Sequence, residues 1–281
     1  MTPLDRRSML RRLARAAALG AAAGAAASGC GDGSPRASTP ASAPASTSAG
    51  GGNNPTSAAV SGAPSAAAGV GAGREQPPLP AGLPFEIGSG PPDRPQVALT
   101  FHGQGSAETA DSLLGLMEAA GARGTVLAVG SWLDEQPRMA QRVLTGGHEL
   151  GNHTMHHGDI SSMSADRTYA EIADCADRLN RLTGSIGRWF RPSQAKDCTP
   201  TVVAQARRVG YAHCLGYDLD SLDFTDPGAA TVTRTVLNEV RPGSVVSLHF
   251  GHPGTVAAMP AILDGLRTRG LRAVTMSELV T

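Results

Sequence analysis

Along residues 97–281, short unbroken apolar blocks alternate with longer amphipathic stretches. Val97-Ala98-Leu99-Thr100-Phe101 opens the series and runs into a Gly-rich turn. Ala107–Ala120 then places apolar residues at Leu113, Leu114, Leu116 and Met117 and stops at Gly121, while Gly124–Val129 is the next apolar block. Helical spacing returns over Trp132–Leu144 and over Tyr169–Leu182, the latter with Asp166 upstream as a cap, and Glu149-Leu150 lies between them. Four further blocks follow at Arg188–Arg191, Tyr211–Tyr217, Ser244–Leu248 and Leu271–Thr275. Helical stretches at Thr199–Val209, Ala229–Val240 and Val256–Arg269 separate them. Blocks without polar alternation are strands buried on both faces, and amphipathic helices between them cover a parallel sheet. About seven such units in one α/β domain predict a distorted (β/α) barrel, with its chemistry where strands end and loops begin.

The pattern is absent before residue 85. Asp5-Arg6-Arg7-Ser8-Met9-Leu10-Arg11 has the form of a twin-arginine export signal, and an Ala/Gly stretch follows over Ala14–Ala27. That stretch is too short and too weakly apolar for a membrane span, which needs roughly 20 strongly apolar residues, so it is expected to be a signal h-region. Ala27-Ser28-Gly29-Cys30 resembles a lipobox, with Cys30 as the lipidated residue. Residues 1–30 are therefore expected to be a lipoprotein signal peptide. Residues 31–84, rich in Ala, Ser, Gly and Pro and without a charge between Ala37 and Gly73, are expected to be a disordered linker. Residues 85–281 are left as the folded domain.

The 24 basic residues balance 24 acidic ones and do not cluster on any element outside the signal, which argues against nucleic acid as a partner. Beyond Cys30 there are three cysteines. Cys198 and Cys214 flank a predicted helix and can pair in an oxidising compartment, leaving Cys175 odd.

Candidate chemistry gathers at the predicted strand ends. Four of the eight histidines fall within residues 148–157, with His153 and His157 four apart. That spacing lets two imidazoles converge on one ion, from a helical face or from a tight turn after a strand. His102 follows the first strand, Arg191 ends another, Asp218, Asp220 and Asp223 follow the Tyr211 strand, and His249 ends the Ser244–Leu248 block. Five strand ends bearing His, Arg or Asp exceed what solvation requires.

At these residues the chain resembles the polysaccharide deacetylase (NodB-homology) family, carbohydrate esterase family 4. Val97–Phe101 is similar to its first motif, and Gly147-His148-Glu149-Leu150-Gly151-Asn152-His153-Thr154-Met155-His156-His157 to its second. Phe190-Arg191-Pro192 is similar to the third, Tyr217–Phe224 to the fourth and Ser247-Leu248-His249 to the fifth. The resemblance implies a divalent metal, zinc, that polarises the acetyl carbonyl of an N-acetylated sugar and acidifies a water. It makes His153 and His157 metal ligands, His249 the general acid, Asp223 its orienting partner and Arg191 a tuner of charge around the base. Main-chain N–H near Ser193 would face the oxyanion.

The first motif is atypical. The family places two adjacent aspartates there, one a base and one a ligand, where this chain has His102 and Gly103. His102 can act as the base, or turn into the metal shell as a third nitrogen ligand; Asp159 or Glu108 could also complete that shell. Ser193-Gln194 lacks the family's aromatic, and Phe224 stands where tryptophan is usual. The reading is an exported, lipid-anchored, monomeric metal-dependent deacetylase at the outer membrane face or cell wall, acting on peptidoglycan or a chitin-like glycan. Two alternatives are a catalytically impaired glycan-binding lipoprotein and an amidohydrolase for a small non-sugar amide.

Overall fold

The computed structural model describes residues 78–281. The expected signal peptide, Cys30 and most of the expected linker lie outside the described residues. Leu79 and Leu83 already pack against the core.

The strands are β1 (Glu86–Ile87), β2 (Gln96–Gly103), β3 (Thr125–Ala128), β4 (Glu149–Asn152), β5 (Trp189–Phe190), β6 (His213–Leu215), β7 (Leu219–Asp220), β8 (Val245–His249) and β9 (Arg272–Val274). They form one curled sheet in the order β1-β6-β5-β4-β3-β2-β8-β7, with β9 on β2, and the strand pairs are parallel. An antiparallel bridge between Ser89 and Ser244 carries the chain after β1 across to β8. The distorted (β/α) barrel expected from the sequence is thus an α/β half-barrel. The seven anticipated strands are all present. The two not anticipated, β1 and β7, have two residues each, too few for any periodicity to register.

The helices are α1 (Ala107–Ala119), α2 (Gly130–Glu135), α3 (Arg138–Thr145), α4 (Ala165–Thr183), α5 (Pro200–Val209), α6 (Ala229–Glu239), α7 (Pro253–Thr268) and α8 (Met276–Val280). The single helix expected over 132–144 is two. Pro137 has no N–H to continue the ladder and its ring clashes with the preceding turn, so the chain restarts there. The cap of α4 is Ser164, whose hydroxyl accepts from Arg167 N–H, and Asp166 sits inside the first turn. Helix α7 begins three residues earlier than expected, because Pro253 suits a first turn whose N–H groups have no partner anyway.

Strand alternation sorts the side chains. On β2, Val97, Leu99 and Phe101 face the helices, whereas Ala98 joins an interior cluster with Leu127, Trp189, Leu215 and Val245. Period two then turns Thr100 and His102 the same way as Ala98. On β8 the same step carries Val245 to Ser247 and His249; after Trp189 on β5 it reaches Arg191. The interior is thus apolar at the bottom, where α8 plugs it, and polar at the C-terminal mouth. Glu149 belongs to the bottom: its buried carboxylate accepts from Thr125 Oγ1 (3.0 Å) and from the backbone and hydroxyl of Ser277, tying α8 to the sheet. Cys198 and Cys214 form a disulfide between the entry to α5 and β6, and Cys175 is free and buried. Closing a loop of this size, a separation of 16 residues, removes about 3 kcal/mol of chain entropy from the unfolded state.

Candidate metal centre and acid site

His153 and His157 do not share a helical face. They lie on an irregular loop directly after β4, and it takes two left-handed residues, Thr154 (φ 69°) and His157 (φ 56°), to turn both side chains inward. A β-branched residue in that region is strained, and the surroundings hold it there. Thr154 N–H donates to Asn152 Oδ1 (2.8 Å) and its hydroxyl to Ser193 Oγ (3.0 Å), while Ser193 Oγ donates to Gly158 O (2.6 Å). Ser193 therefore fixes the loop through its side chain. The other two histidines of the run do structural work: His148 Nδ1 accepts from Gly124 N–H, and exposed His156 pairs with Glu171.

His102, His153 and His157 form one group whose ligand atoms all lie within 4.8 Å of one another. His153 Nδ1 lies 3.0 Å from Arg191 O. A carbonyl only accepts, so Nδ1 carries the proton and Nε2 presents a bare lone pair. That lone pair lies 2.7 Å from His102 Nδ1, which must then be the donor, and His102 Nε2 accepts from Ser247 Oγ at 3.0 Å. Ser247 can either give or take a hydrogen bond, so His102 can switch tautomer and offer Nδ1 to an ion without losing its support. Three imidazoles with such outer support are a donor set suited to zinc or a related divalent ion.

Asp159 and Glu108 do not join this group. Asp159 is exposed and accepts from Ser161 N–H, and Glu108 is exposed in the first turn of α1. A second group, Glu86 with Cys198 and Cys214, loses its thiolates to the disulfide and is no metal site. Gly103 cannot take a carboxylate in place, because a Cβ there would lie 2.9 Å from Val126 Cγ1 and 3.0 Å from Ala128 Cα.

His249 is the register partner of His102 across β2 and β8, and the two rings stack at 4.1 Å. Its Nδ1 lies 2.7 Å from Asp223 Oδ1, so Nε2 is left for the cleft. Asp223 also accepts from His249 N–H (2.8 Å) and Thr255 Oγ1 (2.6 Å). Burial would raise this carboxyl, but the bonds from His249 and Thr255 outweigh it and hold it below its ordinary value. Phe224, half exposed, meets the His249 ring edge-on at 5.4 Å. Of the other aspartates, Asp218 accepts from Val245 N–H (2.6 Å) and Ser244 Oγ and so holds β8, whereas Asp220 lines the cleft.

Arg191 is wholly buried beneath the imidazoles. It donates to Leu215 O, Gly216 O and Thr100 Oγ1 at 2.9–3.0 Å, and its Nη1 has no partner among the described residues. Burial lowers the guanidinium to about 10. His102 is held well below the usual histidine range, first by burial, then by His153 and by the Arg191 charge. His153 is lowered in the same way, first by burial and then by His157, and burial lowers His157 as well. All three are thus neutral, the form that binds a metal.

The sequence reading passed over Ser247, Thr100 and Thr255. Ser247 and Thr100 carried a signal, since each is a hydroxyl residue in the middle of an apolar strand, two positions before a histidine. Thr255 carried none, because it reaches Asp223 from the first turn of α7.

The polysaccharide deacetylase family model matches residues 89–214. A peptidoglycan-N-acetylglucosamine deacetylase of Bacillus cereus is 30% identical over 188 residues, 66% of this chain and 87% of the relative. A solved structure of a peptidoglycan N-acetylglucosamine deacetylase superposes with a TM-score of 0.66 at 26% identity, over 70% of this chain and 92% of that one. A carbohydrate esterase family 4 pseudoenzyme from Bacillus anthracis also superposes with a TM-score of 0.66, at 22% identity over 71% and 70% of the two chains. A mutant of that pseudoenzyme has restored enzymatic activity.

Proposed function

We propose that this chain, which belongs to the polysaccharide deacetylase family, hydrolyses the acetamide of N-acetylated sugars in cell-wall or extracellular glycan. The observation that carries this reading is the juxtaposition of three neutral imidazoles with the His249–Asp223 pair in one cleft. His102, His153 and His157 would hold a divalent ion, zinc by its donor set. Such an ion would polarise the acetyl carbonyl and acidify a nearby water. Burial keeps the three rings unprotonated, and the Arg191 charge adds to it at His102 and His153. His249 is the ring of the stacked cluster left outside the ligand set, with Nε2 open and Nδ1 fixed by Asp223, and so it handles the protons: it takes one from the attacking water and gives one to the departing amine.

The test is metal content of the purified protein together with acetate release from peptidoglycan fragments and chitin oligomers. About one divalent ion per chain, with release abolished by chelation and restored by zinc, is the expected result. A protein prepared with metal in excess that retains no ion would overturn the reading. Release of acetate from a small amide but from no glycan would favour the amidohydrolase alternative.

The domain is expected to work outside the cytoplasm, exported through the signal over 1–30 and tethered by lipid at Cys30 through the linker. Cys30→Ser should move the protein from the membrane fraction to the medium. A mature N-terminus upstream of Cys30 would exclude lipidation there.

A further inference from the structure

Of the three clustered imidazoles, His157 depends most on support from elsewhere. His153 is wholly buried and His102 is braced by Ser247, whereas His157 is half-buried, left-handed and part of a segment without regular structure. Its support comes from a second loop. Ser193 Oγ donates to Gly158 O at 2.6 Å and accepts from Thr154 Oγ1 at 3.0 Å, and Gln194 Nε2 donates to the carbonyl of His157 itself at 2.8 Å. Gln194 is left-handed in turn (φ 53°), a conformation that is costly for a residue with a Cβ and persists only under outside restraint. The loop that bears it, residues 191–199, has no helix or strand of its own. One end is fixed by Arg191, whose N–H donates to Asn152 O at 2.9 Å and whose guanidinium donates to Leu215 O and Gly216 O. The other end is fixed at Cys198, by the disulfide to Cys214 on β6 and by its N–H on Glu86 Oε1 at 2.8 Å. Between these two points Gln194, Lys196 and Asp197 are exposed. A line of support thus runs from β6 through one covalent bond and a short loop to the backbone of His157.

We propose that Cys198 and Cys214 are positioning residues for the metal centre: their disulfide ties the 191–199 loop to β6, and Gln194 carries that restraint to His157. This rests on the deacetylase reading through its ion. A loop tied at both ends has fewer conformations to lose than one tied at a single end, so the bond from Gln194 is formed in advance and His157 joins the other two imidazoles at little ordering cost. Loss of outer support for a metal ligand commonly costs about 10–100-fold in affinity. Gln194 holds the backbone of His157 and leaves its ring free, so the lower end, about tenfold, is expected.

The experiment is a mutant cycle in the full chain: Gln194→Ala, the pair Cys198→Ser with Cys214→Ser, and the two changes combined. Zinc is titrated into each against a chromophoric chelator, and Tm is measured beside it. Replacing both cysteines also removes the thiols that, next to Glu86, could take an ion themselves. Gln194→Ala and the serine pair should each bind zinc about tenfold more weakly than wild type. The combined variant should bind no more weakly than either, because both changes break the same line of support. A disulfide that only stabilises the fold lowers Tm and leaves zinc affinity where it was; that result, or losses that multiply in the combined variant, overturns the proposal. If the serine pair does not fold, Gln194→Ala decides, and unchanged zinc affinity in it is equally fatal. If the wild type binds no zinc, the metal reading falls, and amide hydrogen exchange over residues 154–158 reads the positioning alone. Exchange there should be faster in Gln194→Ala and in the serine pair, and equal exchange in all three proteins would overturn the proposal.

Discussion

Replacing His102 by alanine should remove the ion and the acetate release together. The reason lies in the two sides of its ring. Nδ1 sits 2.7 Å from the bare Nε2 of His153, and Nε2 sits 3.0 Å from Ser247 Oγ, so the ring is braced from behind and aimed at the point His153 and His157 share. A base acting on a water beyond the ion would not need its nitrogen against a ligand nitrogen. Loss of an outer-shell partner of a metal ligand commonly costs 10–100-fold in affinity, and loss of a ligand should cost at least as much. His153→Ala and His157→Ala should behave alike. His102→Asp should retain the ion, since it puts a carboxylate on the same interior face at the end of β2, a position Gly103 cannot supply without moving β3. Metal analysis of the four variants, beside acetate release, decides the matter. Full metal content in His102→Ala with release lowered by orders of magnitude would make His102 a base instead; full content with unchanged release would leave it no role.

His249→Ala should keep the ion and lower acetate release by about 10²–10⁴-fold, the range typical of losing a general acid–base group. Its ring is outside the ligand group, and Asp223 fixes its tautomer through Nδ1 at 2.7 Å. Asp223→Asn should also slow release, with a cost in stability. The carboxylate accepts three hydrogen bonds, and an amide nitrogen turned toward any of those donors leaves a buried group unpaired, at about 1–3 kcal/mol. Thr255→Val removes one of those donors without touching His249, and so separates the stability effect from the chemistry. The pH–rate profile is the readout: the limb belonging to the acid should vanish in His249→Ala. Metal loss in that variant, or an unchanged rate, would assign the proton step elsewhere.

Sequence alone determined the class of fold, because strands buried on both faces must be nearly continuous apolar blocks and the helices between them must be amphipathic. It also determined which residues stand at strand ends. His102, Arg191 and His249 each follow an interior apolar residue by an even number of positions, and period two forces them inward. Three things depended on tertiary structure. Whether His153 and His157 converge from a helix or a turn was decided by the left-handed Thr154 and His157, held by Asn152 within the motif and by Ser193 from outside it. Which of three aspartates serves His249 was decided by the loop after β7: Asp218 went to β8, Asp220 to the cleft wall and Asp223 to the imidazole. The place of His102 beside Ser247 and His249 was decided by register, since Thr100 and His102 pair with Ser247 and His249 across two strands more than 140 residues apart in sequence. Local pattern encodes the periodicity of an element, but a metal centre needs distances between elements, and those exist only once the sheet has curled.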